Sequence, residues 1–244
     1  MQQFDYLKNG QTVSELRHLC KEATTDPKAV LSVCRQRTEE ALCHSGEQTA
    51  LAQARERART LLVTLARAAS ECADHIPQPV SFFVSADDRR RGVAELSRLL
   101  MRIEPTVREL RELSVTLSLM EADFSRAAQK IAEAEKLLHL SLAAAREVGN
   151  EPLLRECEVL LSALACGRSS QEALFGGWKE ARGLLFDFCS DVLRPFGARA
   201  EGASDMEHDG VGCNLSALRT LCGELKFAAE RLEGRLEADR DRNI

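Results

Sequence analysis

Glycine, proline and aromatic residues are scarce in this sequence. Its 244 residues include 14 glycines, 6 prolines, one tryptophan and one tyrosine. Glycine and proline supply most tight turns, and aromatic and β-branched residues favour strands, so the scarcity argues against a fold built from β-hairpins. Alanine, leucine, arginine and glutamate dominate instead, and these residues favour helices. The composition therefore predicts an all-α protein.

Long apolar runs are also absent. No segment approaches the roughly 18 continuous apolar residues that a membrane span requires. The first residues, MQQFDYLKNG, lack a basic region followed by an apolar one, which argues against a secretory signal. We therefore expect a soluble, cytoplasmic protein with no membrane partner.

The nine cysteines show neither of the patterns that would indicate a metal or disulfide framework. No Cys-x-x-Cys motif occurs, and an odd number does not fit a fully paired secreted domain. Residues nine apart on a helix point to opposite faces, so such pairs cannot share a zinc ion. Three pairs have this spacing: Cys34 and Cys43, Cys157 and Cys166, and Cys213 and Cys222. Reduced thiols in helical cores are the expected state.

Charges of both signs are interspersed along the chain. There are 33 basic and 38 acidic residues, which give a net charge of -5 and a pI of about 5.7. Proteins that bind nucleic acid usually carry a basic face and a basic pI. We therefore expect no nucleic-acid partner, and solvated helix faces account for the charges.

The first region, residues 1–104, contains four segments with helical periodicity. Asp26 followed by Pro27 is a favourable helix start, because the carboxylate accepts a first-turn N–H and proline fits the first helical position. Ser85, with Asp88 three residues later, predicts a second capped start. The expected helices of this region lie near 12–24, 27–44, 47–75 and 86–103.

The second region, residues 105–244, is expected to open on the longest helix, 105–148. Apolar residues recur along it at alternating spacings of four and three, from Leu110 to Val148. This spacing is typical of helices that pack side by side. Such a helix would be about 65 Å long, whereas a compact domain of this size is roughly 40 Å across. Either the protein is elongated, or the helix is broken within a compact fold, and we expect an elongated protein.

The rest of the second region repeats the helical pattern. The polar, glycine-rich stretch 197–212 is expected to be a mobile loop, and Asn214 is expected to cap the last helix. The shared periodicity and short breaks predict an antiparallel helical bundle with long heptad-patterned helices. Its further helices are expected near 152–166, 170–194 and 214–240.

The motifs of all-helical enzymes are incomplete. A di-iron bundle needs two Glu-x-x-His pairs, and only Glu15 with His18 fits. Asp87 and Asp88 precede three arginines, which would repel a magnesium ion, and a helix N-terminus explains these aspartates better. We therefore predict no enzymatic activity, no catalytic residue, no cofactor and no metal site.

Aromatic residues are concentrated between positions 175 and 196. Trp178 falls on the apolar seam, whereas Phe175 and Phe186 lie beside it. A seam that faces the core explains this cluster without a binding role. The alternative is that Phe175, Trp178 and Phe186 contribute to a surface that binds a partner.

The expected function is inferred from the helical architecture and not from a sequence motif. Long helix faces in the absence of catalytic motifs indicate a non-enzymatic protein–protein interaction module, such as an adaptor, scaffold or assembly factor. We expect a protein partner, and a long apolar seam also favours a homodimer. The alternative is a carrier that binds an apolar small molecule between the helices of the bundle.

Overall fold

The computed structural model describes residues 10–43, 45–78, 85–205 and 214–242, and these residues form an all-α fold. The expected fold class is confirmed, and the described residues contain no β-strand. The helices are α1 (Gly10–Thr25), α2 (Pro27–Leu42), α3 (Ser45–His75), α4 (Ala86–Leu119), α5 (Glu121–Glu147), α6 (Glu151–Asp187), α7 (Arg194–Asp205) and α8 (Leu215–Arg242). A π-helical segment, Phe188–Leu193, joins α6 to α7.

Several helices begin at the positions expected from their capping residues. The Asp26 carboxylate accepts the backbone N–H of Ala29 at 3.0 Å at the start of α2. The Ser85 hydroxyl accepts the N–H of Asp88 at 3.0 Å at the start of α4. Asn214 accepts first-turn N–H groups in the same way before α8. These caps satisfy backbone donors that would otherwise lack partners.

The prediction of one long helix over 105–148 is wrong. Its first part belongs to α4, which continues through Pro105, and its second part is α5. Proline cannot donate a hydrogen bond to the carbonyl four residues earlier, that of Met101. Both Pro105 and Met101 are exposed, so water can satisfy that carbonyl, while Ile103 and Leu110 on the opposite face are buried. Packing of that face keeps the helix continuous.

We expect the change Pro105→Ala to raise the free energy of unfolding by about 1–3 kcal/mol. Alanine restores the missing backbone donor and removes the steric conflict of the proline ring within α4. Urea denaturation followed by circular dichroism measures the change. The matched control is Thr116→Ala, another exposed position of α4, which should change stability by no more than about 0.5 kcal/mol. An unchanged or lowered midpoint for Pro105→Ala would contradict this account of the helix.

The helices expected near 152–166 and 170–194 also differ from the structure, because α6 runs without a break from Glu151 to Asp187. Ser169 and Ser170 lie where the second of these helices was expected to begin, and their hydroxyls donate to carbonyls four residues earlier in α6. Such bonds let serine remain inside a helix.

The mobile loop expected over 197–212 is helical in its first part. Residues 197–205 belong to α7, and 206–212 lie outside the described residues. Alanine at 198, 200 and 203 favours the helix over the loop that the glycines predicted. Ala200 is also fully buried, so packing stabilises the segment.

The chain forms two compact units that do not follow the division at residue 104. The first unit comprises residues 1–48 and 121–175, and the second comprises residues 49–120 and 176–244. Each unit therefore combines segments from both regions expected from the sequence. The antiparallel arrangement and the elongated shape stay predictions.

The core of the first unit lies between α1, α2, α5 and the first part of α6. Small side chains let the helices approach closely: Gly167 of α6 lies so near Leu42 that an added Cβ would meet its side chain. The ring of Phe175 packs edge-on against Phe124, with 5.7 Å between ring centroids. The buried leucine and isoleucine side chains of this core include Ile131, Leu138, Leu142, Leu153 and Leu164.

The core of the second unit is built from α3, α4, the end of α6, the π-helical segment, α7 and α8. Arg59 of α3 is bound by two glutamates of α8, Glu233 and Glu237, each at 3.0 Å. The fully buried leucines of this core include Leu62, Leu65, Leu96, Leu110, Leu117, Leu185 and Leu215. Among the described residues, no helix is long and apolar enough to cross a membrane.

Candidate protein-binding surface

Helix α4 of the second unit is apolar on two opposite faces. One face is buried and carries Leu110 and Leu117. On the other face Met101, Val115 and Leu119 are 68%, 60% and 72% exposed. Large apolar side chains gain free energy when they leave water, so a line of them on one exposed helix face is a candidate contact surface.

The exposed face has the spacing of a helix-pairing seam. Its six residues alternate in steps of four and three, and all six are exposed. At 100° per residue they lie within about 40° of one line, and they extend over about 27 Å. We call this set the α4 stripe: Met101, Pro105, Arg108, Glu112, Val115 and Leu119.

A groove follows the central part of the α4 stripe. Its volume is about 570 Å³, and Val107, Arg108, Arg111, Glu112 and Val115 contribute to its walls. The walls combine apolar side chains with charged ends. A groove of this kind can receive the side chains of another helix laid along α4.

The charges of the α4 stripe lack ion-pair partners in the part of the chain that the structure describes. Arg108 and Glu112 make no ion pair there, whereas the neighbouring Glu109 is bound by Arg57, with Oε2 and Nη2 2.8 Å apart. The hydrogen bond and the charge of Arg57 lower the pKa of the Glu109 carboxyl. Arg108 and Glu112 therefore remain available for contacts with another molecule.

The three aromatic residues expected at a partner surface have different environments. Trp178, in the second unit, is 1% exposed, so it does not belong to a binding surface. Its indole N–H donates to the carbonyl of Leu117 at 2.7 Å, and the Arg182 guanidinium lies 5.4 Å from its ring centroid. Phe186 of the same unit is 61% exposed, and Phe175 of the first unit is 39% exposed, with its ring edge-on to Phe124.

The α4 stripe was not identified from the sequence, although a signal for it was present. Two seams with similar spacing run along α4, and the sequence does not say which faces the core. The seam with Leu96, Ile103 and Leu110 is the buried one. The second seam was obscured because Pro105 was expected to begin a new helix.

A pair of cysteine thiols lies in the core of the first unit. The Cys34 thiol is 3.4 Å from the Ser141 hydroxyl and is hydrogen-bonded to Cys157. The hydrogen bond with Cys157 lowers the pKa of Cys34 to about 7. The same bond, together with burial, raises the pKa of Cys157. Thiols expected in helical cores are thus found there, paired across α2 and α6.

The second unit contains a similar pair. Cys72 of α3 and Cys222 of α8 are both buried, and their sulfur atoms are 3.6 Å apart. The hydrogen bond with Cys222, together with burial, raises the pKa of Cys72. Spacing along one helix could not reveal either pair, because each joins helices distant in sequence. Cys43 and Cys166 are exposed, which departs from the expected core location.

The remaining polar candidates contact other side chains. His18 lies 3.3 Å from Glu22, and Glu15 lies 2.9 Å from Lys136. The Glu15 and His18 side chains are therefore directed to other partners and not to a shared ion. Among the described residues, no group of three or more histidine, cysteine or acidic side chains could hold a metal ion.

The first unit carries an apolar groove of similar volume. This groove is about 570 Å³ and is bordered by α1, α2 and α5, with Leu19, Val30, Val33 and Leu137 among its lining residues. It is partly open to solvent, and His18 and Lys21 are also among its lining residues. It is the described feature that best fits the alternative of a small-molecule carrier.

No protein-family model, no curated protein and no solved structure matches this chain in comparisons with known proteins. Of the features described, the α4 stripe combines exposed apolar area, helix-pairing spacing and unpaired charge. These are the properties of a surface that binds a helix.

Proposed function

We propose that this protein is a non-enzymatic helical protein–protein interaction module, of the adaptor, scaffold or assembly-factor type, that binds a partner helix along the α4 stripe. The observation that carries the proposal is the exposure of Met101, Val115 and Leu119 on one line of a helix whose opposite face is buried. A helix with two apolar faces is typical of one that packs on both sides.

The expected complex is of modest strength. Burying a large apolar side chain contributes about 1.5–3 kcal/mol, and the α4 stripe offers three such side chains. Association costs at least about 4 kcal/mol in lost motional freedom. From these three side chains alone the balance is at most about 5 kcal/mol, which corresponds to a Kd of about 0.2 mM or weaker. Apolar side chains of the partner helix add to this balance, and we expect reversible binding, which suits an assembly that forms and dissociates.

Site-specific photo-cross-linking tests the proposal. A photoreactive amino acid replaces Val115, and the full-length chain is produced and irradiated in its native cells. We expect covalent products with a protein chain, because a partner helix would lie within reach of position 115. The added change Leu119→Asp should remove these products, since a charge there disrupts the apolar contact.

The matched control places the same photoreactive group at Arg231, an exposed position of α8 in the same unit. This position lies away from the α4 stripe in sequence and should give only background products. If position 115 gives no more protein adducts than position 231, the proposal is wrong. Persistence of the adducts with Leu119→Asp in a folded chain would also contradict it.

A carrier function is the second candidate, and the groove of the first unit supports it. Its volume lies within the roughly 300–1,000 Å³ of small-molecule sites. Ligand pockets, however, usually enclose most of the ligand surface, and this groove is partly open to solvent. Native mass spectrometry separates the candidates, because a carrier would retain an apolar molecule above the chain mass of 27.0 kDa.

A further inference from the structure

We infer that the helix bound by the α4 stripe is the α4 stripe of a second copy of this chain, in antiparallel orientation. This inference rests on the proposed function and names its partner. The contact would have two-fold symmetry, in which the same surface of both copies meets itself. It would therefore place each stripe residue opposite a defined residue of the other copy.

The order of residues along the α4 stripe is complementary to its own reverse. Its six residues are placed symmetrically in sequence about Leu110, which is buried on the opposite face of α4, level with the middle of the stripe. An antiparallel copy centred at that point sets Arg108 opposite Glu112, and Glu112 opposite Arg108. Opposite charges thus face each other at both central positions.

The outer positions are complementary in the same register. Met101 faces Leu119, and Pro105 faces Val115, so apolar side chains meet apolar ones at both ends. Steps of four and three place the six residues alternately at the two apolar positions of a heptad, a and d. In this antiparallel register each a position of one copy lies opposite a d position of the other. One register therefore satisfies all six positions.

Parallel pairing of the same stripe is unfavourable. It would set Arg108 opposite Arg108 and Glu112 opposite Glu112, and like charges repel at such distances. The charges therefore select the antiparallel orientation as well as the register. Arg111 at the edge of the stripe would lie near its own copy beside the symmetry axis, which keeps the pairing weak.

The apolar seam expected to support a homodimer is not available for this contact. Its residues Leu110 and Leu117 are buried in the second unit, and Ile131 and Leu138 are buried in the first. The α4 stripe is a separate row on the exposed face of α4. It leaves room for a second copy, since the groove of about 570 Å³ lies along its centre.

Charge reversal tests this inference in the full-length chain. Light scattering and sedimentation equilibrium are measured up to about 200 µM, so that dissociation constants of tens of micromolar are resolved. We expect wild type to approach twice 27.0 kDa. Arg108→Glu and Glu112→Arg should each weaken dimerisation at least about tenfold, because like charges then face each other. Arg231→Glu is the matched charge reversal and should leave the mass unchanged.

Restored pairing is the decisive result. The double variant Arg108→Glu with Glu112→Arg exchanges the charges and should dimerise within about threefold of wild type. An equimolar mixture of the two single variants should also form heterodimers. If the single variants dimerise as well as wild type, or the folded double variant does not recover, the inference is wrong.

The outcomes for this inference and for the proposed function are separable. A wild-type chain that stays at 27.0 kDa overturns self-pairing. If cross-linking from position 115 then captures a different protein in a manner sensitive to Leu119→Asp, the interaction module stands with another partner. If neither dimer nor cross-link is found, both proposals fall.

Discussion

Replacing Trp178 with alanine is expected to lower the free energy of unfolding by about 3–5 kcal/mol. The indole is 1% exposed in the core of the second unit, so its removal leaves a large cavity. The change also removes the hydrogen bond to the Leu117 carbonyl, with a donor–acceptor distance of 2.7 Å, and the contact with Arg182. Urea denaturation followed by circular dichroism measures the loss, because the variant lacks the only tryptophan.

Two further variants test this account of Trp178, one at the same position and one at an exposed position. Trp178→Phe keeps most of the apolar volume and should retain more stability than Trp178→Ala. Phe186→Ala, an aromatic truncation at an exposed position of the same helix, should change stability by no more than about 0.5 kcal/mol. Equal losses for Trp178→Ala and Phe186→Ala would contradict the assignment of Trp178 to the core.

The exposed thiols of Cys43 and Cys166 are expected to react with iodoacetamide at least about a hundredfold faster than the buried pairs. Exposed thiols meet the reagent directly, whereas buried ones react only when the structure opens. Cys34 is the sharpest case, because the hydrogen bond with Cys157 lowers its pKa, so burial is the property that protects it from the reagent. Time-resolved labelling with peptide mass spectrometry gives the rate at each cysteine.

Unfolded protein in urea is the control for the labelling experiment. There the rates should converge, since every thiol is accessible. Labelling of Cys34 in the native protein at the rate of Cys166 would show that the first-unit core does not enclose it. The same comparison applies to Cys72 and Cys222, whose sulfur atoms lie 3.6 Å apart in the second unit.

Tertiary contacts explain where the expected helix boundaries were wrong. Pro105 predicts a helix start by local chemistry, but burial of Ile103 and Leu110 on either side keeps α4 continuous. No glycine or proline marks the end of α4 at Leu119. The Trp178 indole binds the carbonyl of Leu117 near that end, and this contact comes from a residue far along the chain. Local sequence patterns do not contain such information.

At the candidate site, too, some features follow from the local sequence and others only from tertiary contacts. The spacing of the α4 stripe can be read from the sequence, and so can the positions of Arg108 and Glu112, which are symmetric about Leu110. The exposure of the α4 stripe cannot be predicted from the sequence, because two apolar seams on one helix are equivalent until other helices cover one of them. Trp178 illustrates the reverse: the sequence allowed either a core or a surface role, and burial in the second unit selected the core.

By itself, the sequence determined the helical class and the helix starts at Asp26, Ser85 and Asn214. These features depend on backbone propensities and on hydrogen bonds between near neighbours, which act within a few residues. Only the tertiary structure decided where α4 ends, which thiols meet in each core, and which face of α4 stays exposed. Those outcomes depend on burial of apolar surface between segments distant in the chain, and that free energy exists only once the helices have packed.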